Sequence, residues 1–367
     1  MMARWKTAFF QGLEKYAACF SKAWKKPRSH FPSSVKTRGS ALIVVLWILL
    51  ILALLVSSMA FDMNIEAGIT AFGRNRVQAQ QFARAGAEFA RYLVWKSQKV
   101  HPELPMPNGE DEQVFLAAAW LQRGLAVTNY VREFEHGRFT LDMIPEQAFR
   151  NVNQLRETEW PLVLAEANIP EELWPELTDC FLDWTDANDD ARVNGAESDD
   201  PSYLERGYPT KGAALDTVEE LLMIKGFTKA MVFGGPTANE KAPPLTGLAQ
   251  LLTVWGDGKV NVNAASRAVL LTLPTVDEAV ADDIITQRVG PDGVAGTLDD
   301  GFVNLNDAFA KTRLMPAIQN MVTTSEHRFM RVVVRGECAG VQSIIRCVLW
   351  NDPRKIRPVF WREGETR

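Results

Sequence analysis

The sequence predicts an α+β fold in which one long N-terminal helix packs on a small antiparallel sheet and a large all-α insert interrupts that sheet. Three observations lead there. A run of 23 uncharged residues lies between Arg38 and Asp62. Helix-spaced apolar residues continue beyond that run without a proline. Two pairs of strand-like segments then appear, separated by about 180 residues of mostly helical pattern.

The uncharged run exceeds the roughly 20 residues that a helix needs to cross a hydrocarbon core. A secretory signal carries an apolar stretch of only about 7–15 residues close to the chain start. Residues 40–61 are therefore expected to be a retained transmembrane helix. The 39 residues before Ser40 hold nine Lys or Arg and one acid, Glu14, a formal charge of +8; the whole chain is −5, so the remainder is −13. Basic flanks stay cytoplasmic. This predicts a single pass of the bacterial inner membrane, with 1–39 cytoplasmic and the acidic remainder periplasmic. In the basic arm, Trp5, Phe9, Leu13, Tyr16, Phe20 and Trp24 share one helical face opposite lysines. That face suits an anionic membrane surface, or the arm is a leader with no further role.

Between Asp62 and Ser97 the stripe Phe72, Ala79, Phe82, Gly86, Phe89 and Leu93 keeps helical spacing, with Arg74, Arg76, Arg84, Glu88 and Arg91 on the polar side. His101-Pro102 stops the helix, because proline disfavours helix in the residue before it. A helix over 41–97 would be about 85 Å long at 1.5 Å per residue. Its continuation, 62–99, needs something to pack on. The segments "LAVTNYVREF" and "GRFTLDMI", joined at His136-Gly137, and "HRFMRVVVRGE" and "VQSIIRCVLW", joined at Cys338-Ala339-Gly340, supply an antiparallel sheet. The body is thus 100–155 with 325–351, the insert 156–324, and 352–367 a polar tail. Within the insert "VEELLMIKGF", "LTGLAQLL", "AASRAVLLTL" and "VDEAVADDIITQRV" read as helices. "FRNVNQL" at Phe149 and "GKVNVNAA" at Gly258 form a short internal echo.

Cys19, Cys180, Cys338 and Cys347 make no disulfide framework. Across a hairpin turning at Ala339-Gly340, Cys338 and Cys347 are too far apart to bridge. A pairing of Cys180 with either is left open.

Lys36 and Arg38, followed by Gly39, Ser40 and an apolar helix, resemble the processing site of type IV prepilin-like proteins. In that family a prepilin peptidase cuts after the glycine on the cytoplasmic face. The resemblance implies cleavage between Gly39 and Ser40, and a pilin-like fold. The fifth residue after the cut is normally glutamate, which pairs with a neighbour's N-terminal amine; here it is Val44. The minor pseudopilins of type II secretion include one unusually large member without that glutamate. "QAQQFARAGAEFARYLV", "LDWTDANDDARVNGAESDDPSYLERGYPTKGAALDTVEELLMIKGF", "LLTVWGDGKVNVNAASRAVLLTL" and "HRFMRVVVRGECAGVQSIIRCVL" are similar to it, in order. This implies a subunit at the tip of the periplasmic pseudopilus that initiates or limits its assembly. The implied partners are other minor pseudopilins in a tip complex, the major pseudopilin, the prepilin peptidase and the inner-membrane assembly platform. A minor pilin of a type IV pilus is the alternative within this architecture.

From Asp186 the chain reads D-A-N-D-D-A-R-V-N-G-A-E. Asp186, Asn188, Asp190, Asn194 and Glu197 fall at positions 1, 3, 5, 9 and 12, with the Arg192 carbonyl at 7. Calcium takes six to eight oxygens at such spacing. Ala191 replaces the usual glycine and Pro201 disfavours a regular second helix, so the geometry should be irregular. Asp183, Asp189, Asp199 and Asp200 are spare acids. Crowded carboxylates repel one another unless a cation neutralises them. A second loop, "GPDGVAGTLDDGF", offers Asp292, Asp299 and Asp300, either for another calcium or as an ordinary turn.

"VNVNAASRAVLLTLPTVDEAVADDIITQR" resembles the SAM-like, helix-hairpin-helix units of membrane-anchored DNA-uptake receptors. Such units hold phosphate on backbone N–H groups at a helix start. Here Leu273–Asp277 has no glycine pair, and Asp277, Glu278, Asp282 and Asp283 would repel a nucleic-acid backbone. No nucleic-acid partner is expected. His30, His101, His136 and His327 are scattered, and no phosphate loop or nucleophile motif occurs, so no enzyme is expected.

Overall fold

The computed structural model describes residues 40–102, 106–236, 243–325, 328–352 and 354–364. The basic arm and Gly39 lie outside them. The chain divides into two compact units at Gly68. Helix α1, Ser40–Ser97, begins in the first and ends in the second. From Ala41 to Phe61 α1 carries no charge: its best 18-residue window has a mean hydropathy of 3.0 and none of it is buried. An all-round apolar helix with no protein covering it is suited to lipid. Among the described residues, one helix thus fits a single-pass anchor.

In the second unit, α1 lies directly on a sheet. Ala79, Ala83, Ala87 and Ala90 are buried, with Leu93 and Val94 closing the stripe. Phe72, expected in it, is half exposed, because no strand lies beneath it. Where the helix crosses the sheet each side presents a glycine, Gly86 from the helix and Gly336 from the sheet. A Cβ on Gly336 would stand 2.2 Å from the Ala79 carbonyl oxygen, and one on Gly86 2.4 Å from Val334 Cγ1. The helix stops at Ser97, whose Oγ donates to the Val94 carbonyl at 2.8 Å.

Helix α2, Glu112–Gln122, starts at Asp111, whose carboxylate accepts the amides of Gln113 and Val114. Strands β1, Val127–Phe134, and β2, Gly137–Pro145, form the first hairpin. The insert then carries β3, Arg150–Asn151; α3, Trp160–Glu166; α4, Trp174–Thr185; α5, Pro201–Arg206; and α6, Lys229–Phe233. It continues with β4, Leu252–Thr253; β5, Val260–Asn261; α7, Arg267–Leu271; α8, Glu278–Gln287; α9, Leu305–Lys311; and β6, Val322–Thr323. Strands β7, Phe329–Cys338, β8, Val341–Asn351, and β9, Ile356–Glu363, complete the body. The sheet order is β1-β2-β7-β8-β9, antiparallel throughout.

Its inner face, Leu141, Met143, Val332, Val334, Ile345, Cys347 and Leu349, is buried together with the stripe of α1. Each fully buried aliphatic side chain contributes about 1.5–3 kcal/mol. Phe89 stacks on Tyr130 with ring centroids 5.3 Å apart. Cys180, Cys338 and Cys347 are free and buried, so Cys180 pairs with neither. Burial pushes the Cys180 and Cys347 thiols up to about 12.

Three expectations change. The tail 352–367 holds β9, paired with β8 from Ile345↔Glu363 to Asn351↔Ile356. Pro358, Arg357 and Arg362 are what an edge strand carries, and they made the segment read as polar tail. The insert is not all-α: β3 pairs with β4 and β5 with β6, both in parallel. "VEELLMIKGF" and "LTGLAQLL" form 3-10 turns at Val218–Met223 and Leu248–Gln250. A second core, including Trp160, Trp184, Tyr203, Leu221 and Ile224, fills the insert.

Candidate metal centre

The acidic loop leaves the C-terminus of α4. Asp183, in the last turn of α4, has a fully buried side chain. Its Oδ2 accepts the Arg192 amide at 3.1 Å. Its Oδ1 is buried and accepts no hydrogen bond among the described residues; Arg192 Nε stands 3.5 Å away as an ion-pair partner. The chain returns so closely that a Cβ on Gly195 would lie 1.8 Å from Asp183 Oδ2. Glu197 is buried too. Its Oε2 accepts the Thr210 hydroxyl at 3.1 Å, while Oε1 has no hydrogen bond. Burial raises both carboxyls, and Asp183, Asp186 and Asp189 push Glu197 further up.

The other sequence candidates are spread out. Asp186 Oδ1 accepts the Asn188 amide, and Asn188 Oδ1 accepts the Asp190 amide at 2.8 Å, in exposed turns. The Arg192 carbonyl accepts the Gly195 amide. Asn194 turns to Asp179, donating both its amide and Nδ2 to Asp179 Oδ2. Asp200 caps α5: its Oδ1 takes the amide and hydroxyl of Ser202, and Lys225 Nζ sits 2.9 Å from Oδ2. The Ser202 and Lys225 bonds hold that carboxyl down at about 2. Among the described residues no three of His, Cys, Asp and Glu gather into a metal-holding group. The two orphaned, buried carboxylate oxygens are the feature that fits a hard divalent cation, which prefers oxygen donors. Asp183 read as a spare acid because the twelve-residue count starts after it; its place at the end of an amphipathic helix was the available signal.

In the second loop Asp292, Asp299 and Asp300 serve the loop itself. Asp292 Oδ1 accepts the Val294 amide, Asp299 Oδ2 the Asp292 amide and Asp300 Oδ2 the Gly296 amide. The Thr297 hydroxyl holds Asp299 below the usual carboxylate range. Trp120 Nε1 and Arg123 Nη1 tie the loop to α2 and the turn after it, through the carbonyls of Thr297 and Asp300. No orphaned buried oxygen remains there among the described residues.

The hairpin between α7 and α8 is acidic in place as well as in sequence. Asp277 caps α8 by accepting the Val280 amide at 2.8 Å. Arg267, the nearest cation in α7, is taken by Asp282 at 2.6 Å and Glu278 at 3.2 Å.

An apolar helix that runs on to become the spine of an antiparallel sheet, with a large insert between its second and third strands in chain order, defines a pilin-like α+β protein. Residues 137–233 match the family model for type II secretion system (T2SS), protein K, first domain. Over that segment the chain is similar to the protein K family of type II secretion. A chain from the crystal structure of the GspK-GspI-GspJ complex of the enterotoxigenic Escherichia coli type 2 secretion system superposes with a TM-score of 0.54 at 12% identity. The match covers 80% of this chain and 99% of that one, and shows the shared fold. No curated protein matches the chain.

Proposed function

We propose that this chain is a minor pseudopilin of type II secretion that stands at the tip of the periplasmic pseudopilus and initiates or limits its assembly for export of folded proteins across the outer membrane. The family match over 137–233, which runs from β2 through α6, carries the reading. The similar structure is named as a complex of three such proteins, which supports other minor pseudopilins as partners here. The major pseudopilin and the inner-membrane assembly platform are the further partners. The N-terminus is cytoplasmic and the body periplasmic. A prepilin peptidase cuts after Gly39, freeing the amine of Ser40 at the start of α1.

The acidic loop holds calcium in this reading. Asp183 and Glu197 supply the buried carboxylate oxygens, with loop carbonyls and Asn oxygens completing the set. Bound calcium would supply the positive charge that the loop's carboxylates lack. The experiment is deletion of the gene, complementation with an epitope-tagged chain, and immunogold labelling of overexpressed pseudopili. Label at fibre ends, with secretion restored, supports the tip; label spaced along the shaft overturns it.

A further inference from the structure

We propose that Arg192 is the built-in counter-ion of the acidic loop, neutralising Asp183 when no metal is bound and yielding that carboxylate to an incoming divalent cation. The inference rests on the calcium reading above and concerns what sets the affinity.

Asp183, at the entry to the loop, is fully buried, and a buried carboxylate needs a partner. Its Oδ1 receives no hydrogen bond, yet the Arg192 guanidinium is held at 3.5 Å. That is close enough for charge attraction and too poor a geometry for a strong bond. Gly195 fixes the return of the chain against the other oxygen, so the carboxylate cannot turn toward the arginine. The pair is therefore weak by construction. It is also outnumbered. Asp183, Asp186 and Asp189 all act on Glu197, and one guanidinium faces the group.

A divalent ion binds carboxylate oxygens at about 2.3–2.6 Å and brings twice the charge, so it wins the contest for Asp183. Arg192 has somewhere to go. Its side chain is 39% exposed, and Nη1 is already 3.7 Å from Glu157 Oε2 on the other side. Glu157, Arg192 and the almost fully exposed Val193 border one open cleft with Trp174 and Asp179. Loading the loop therefore moves a positive charge from the buried carboxylate to the cleft rim.

The two contacts of Arg192 give substitutions with opposite signs. Calcium binding is measured by titration calorimetry on the full chain in detergent after chelation, alongside melting with and without calcium. Arg192→Gln removes the competitor. It should bind calcium about five- to tenfold more tightly than wild type, while its metal-free form melts lower. Glu157→Gln removes the outer partner, leaves Arg192 leaning on Asp183, and should weaken calcium about two- to threefold. Glu157 is a surface residue, so this variant folds. Asp183→Asn should abolish binding. Equal or weaker binding by Arg192→Gln, or unchanged binding by Glu157→Gln, overturns the role of Arg192 and leaves the calcium reading standing. A wild-type chain giving neither heat nor a melting shift in millimolar calcium overturns both.

Discussion

Asn153 and Asn263 hold equivalent positions in the two halves of the insert. Asn153 donates its amide to Asn151 Oδ1 at 3.0 Å, and Asn263 donates its own to Asn261 Oδ1 at 2.9 Å. Each then exchanges side-chain bonds with the backbone that follows an acidic loop. Asn153 Oδ1 accepts the Leu215 amide while its Nδ2 donates to the Leu215 carbonyl. Asn263 does the same with Phe302. Between these points each half carries a helix pair, α3 and α4 or α7 and α8, and the first half adds the short α5. Each helix pair is joined through a non-glycine residue in the left-handed region, Asn168 at φ 55° or Thr275 at φ 66°, followed by a buried Ile169 or Val276. The insert is two copies of one device.

The copies are not equally loaded, which gives a prediction. Asn263 Nδ2 also donates to the carbonyls of Arg123 and Thr324, tying the insert to the turn after α2 and to the loop before β7. Asn263→Ala strands several buried carbonyls, each costing about 1–3 kcal/mol. The loss should reach roughly 3–5 kcal/mol by chemical denaturation. Asn153→Ala should cost about 1–2 kcal/mol, since it is partly exposed and serves one partner. Equal costs would refute the hub.

Much of this was legible, and the exceptions have physical causes. The echo of "FRNVNQL" in "GKVNVNAA" is the paired asparagine device; seven residues revealed its presence but not the loops it closes. Strands β2 and β7 alternate because one face is buried and the other more exposed, while β1 is broken by a register shift between Val127 and Tyr130. Helix α2 is missing from the expectation because it is buried on two sides, with Val114, Ala117 and Leu121 in the sheet core and Phe115, Ala118 and Ala119 in a cluster with Leu298. Burial on both sides erases the period that a pattern search reads. The loop spacing picked out Glu197, whose Oε1 is buried without a hydrogen bond among the described residues. It could not show that Asn194 bonds Asp179 or that Asp200 caps α5, since caps and turns use the same side chains as metals do.

The contact of α1 with the sheet makes Gly336 a second test. A side chain there meets the backbone of Ala79 and Ala83 rather than a flexible tip, so the helix must lift. Gly336→Ala should cost about 1–3 kcal/mol or more as overpacking. Gly340→Ala meets nothing within 4 Å, and its φ of 81° alone sets the penalty, about 1 kcal/mol. A Gly336 variant as stable as the Gly340 variant would mean the helix is not seated as described.

Asp200 gives a pH dependence with a defined sign. Its folded carboxyl lies at about 2, below the ordinary 3.8, because it is bonded to Ser202 and Lys225. A depressed carboxyl stabilises the fold above its unfolded value and loses that contribution as pH falls from about 4 through about 2. Asp200→Asn keeps the cap of α5 but lacks the titration. Melting curves of wild type and variant should therefore differ at pH 6 and converge near pH 2. A constant gap over that range would show that the ion pair with Lys225 contributes nothing.

Processing and position can be tested together at the start of α1. Mass spectrometry of the mature chain should find Ser40 as its first residue, and a bulky residue in place of Gly39 should leave the precursor uncut. Once cut, the fifth residue would be Val44, an apolar side chain in the uncharged run that ends at Phe61. A glutamate there would need a partner amine, since an unpaired charge at membrane depth costs at least about 2.5 kcal/mol. A subunit at the tip follows no other subunit and has no such amine to meet. Val44→Glu should therefore lower secretion, and should do so without changing the melting of the periplasmic body. If the variant instead secretes normally and becomes spaced along the fibre, the valine is what keeps the chain out of the shaft. If it secretes normally and stays at the fibre end, the insert alone excludes a subunit above it, and Val44 plays no part in placement.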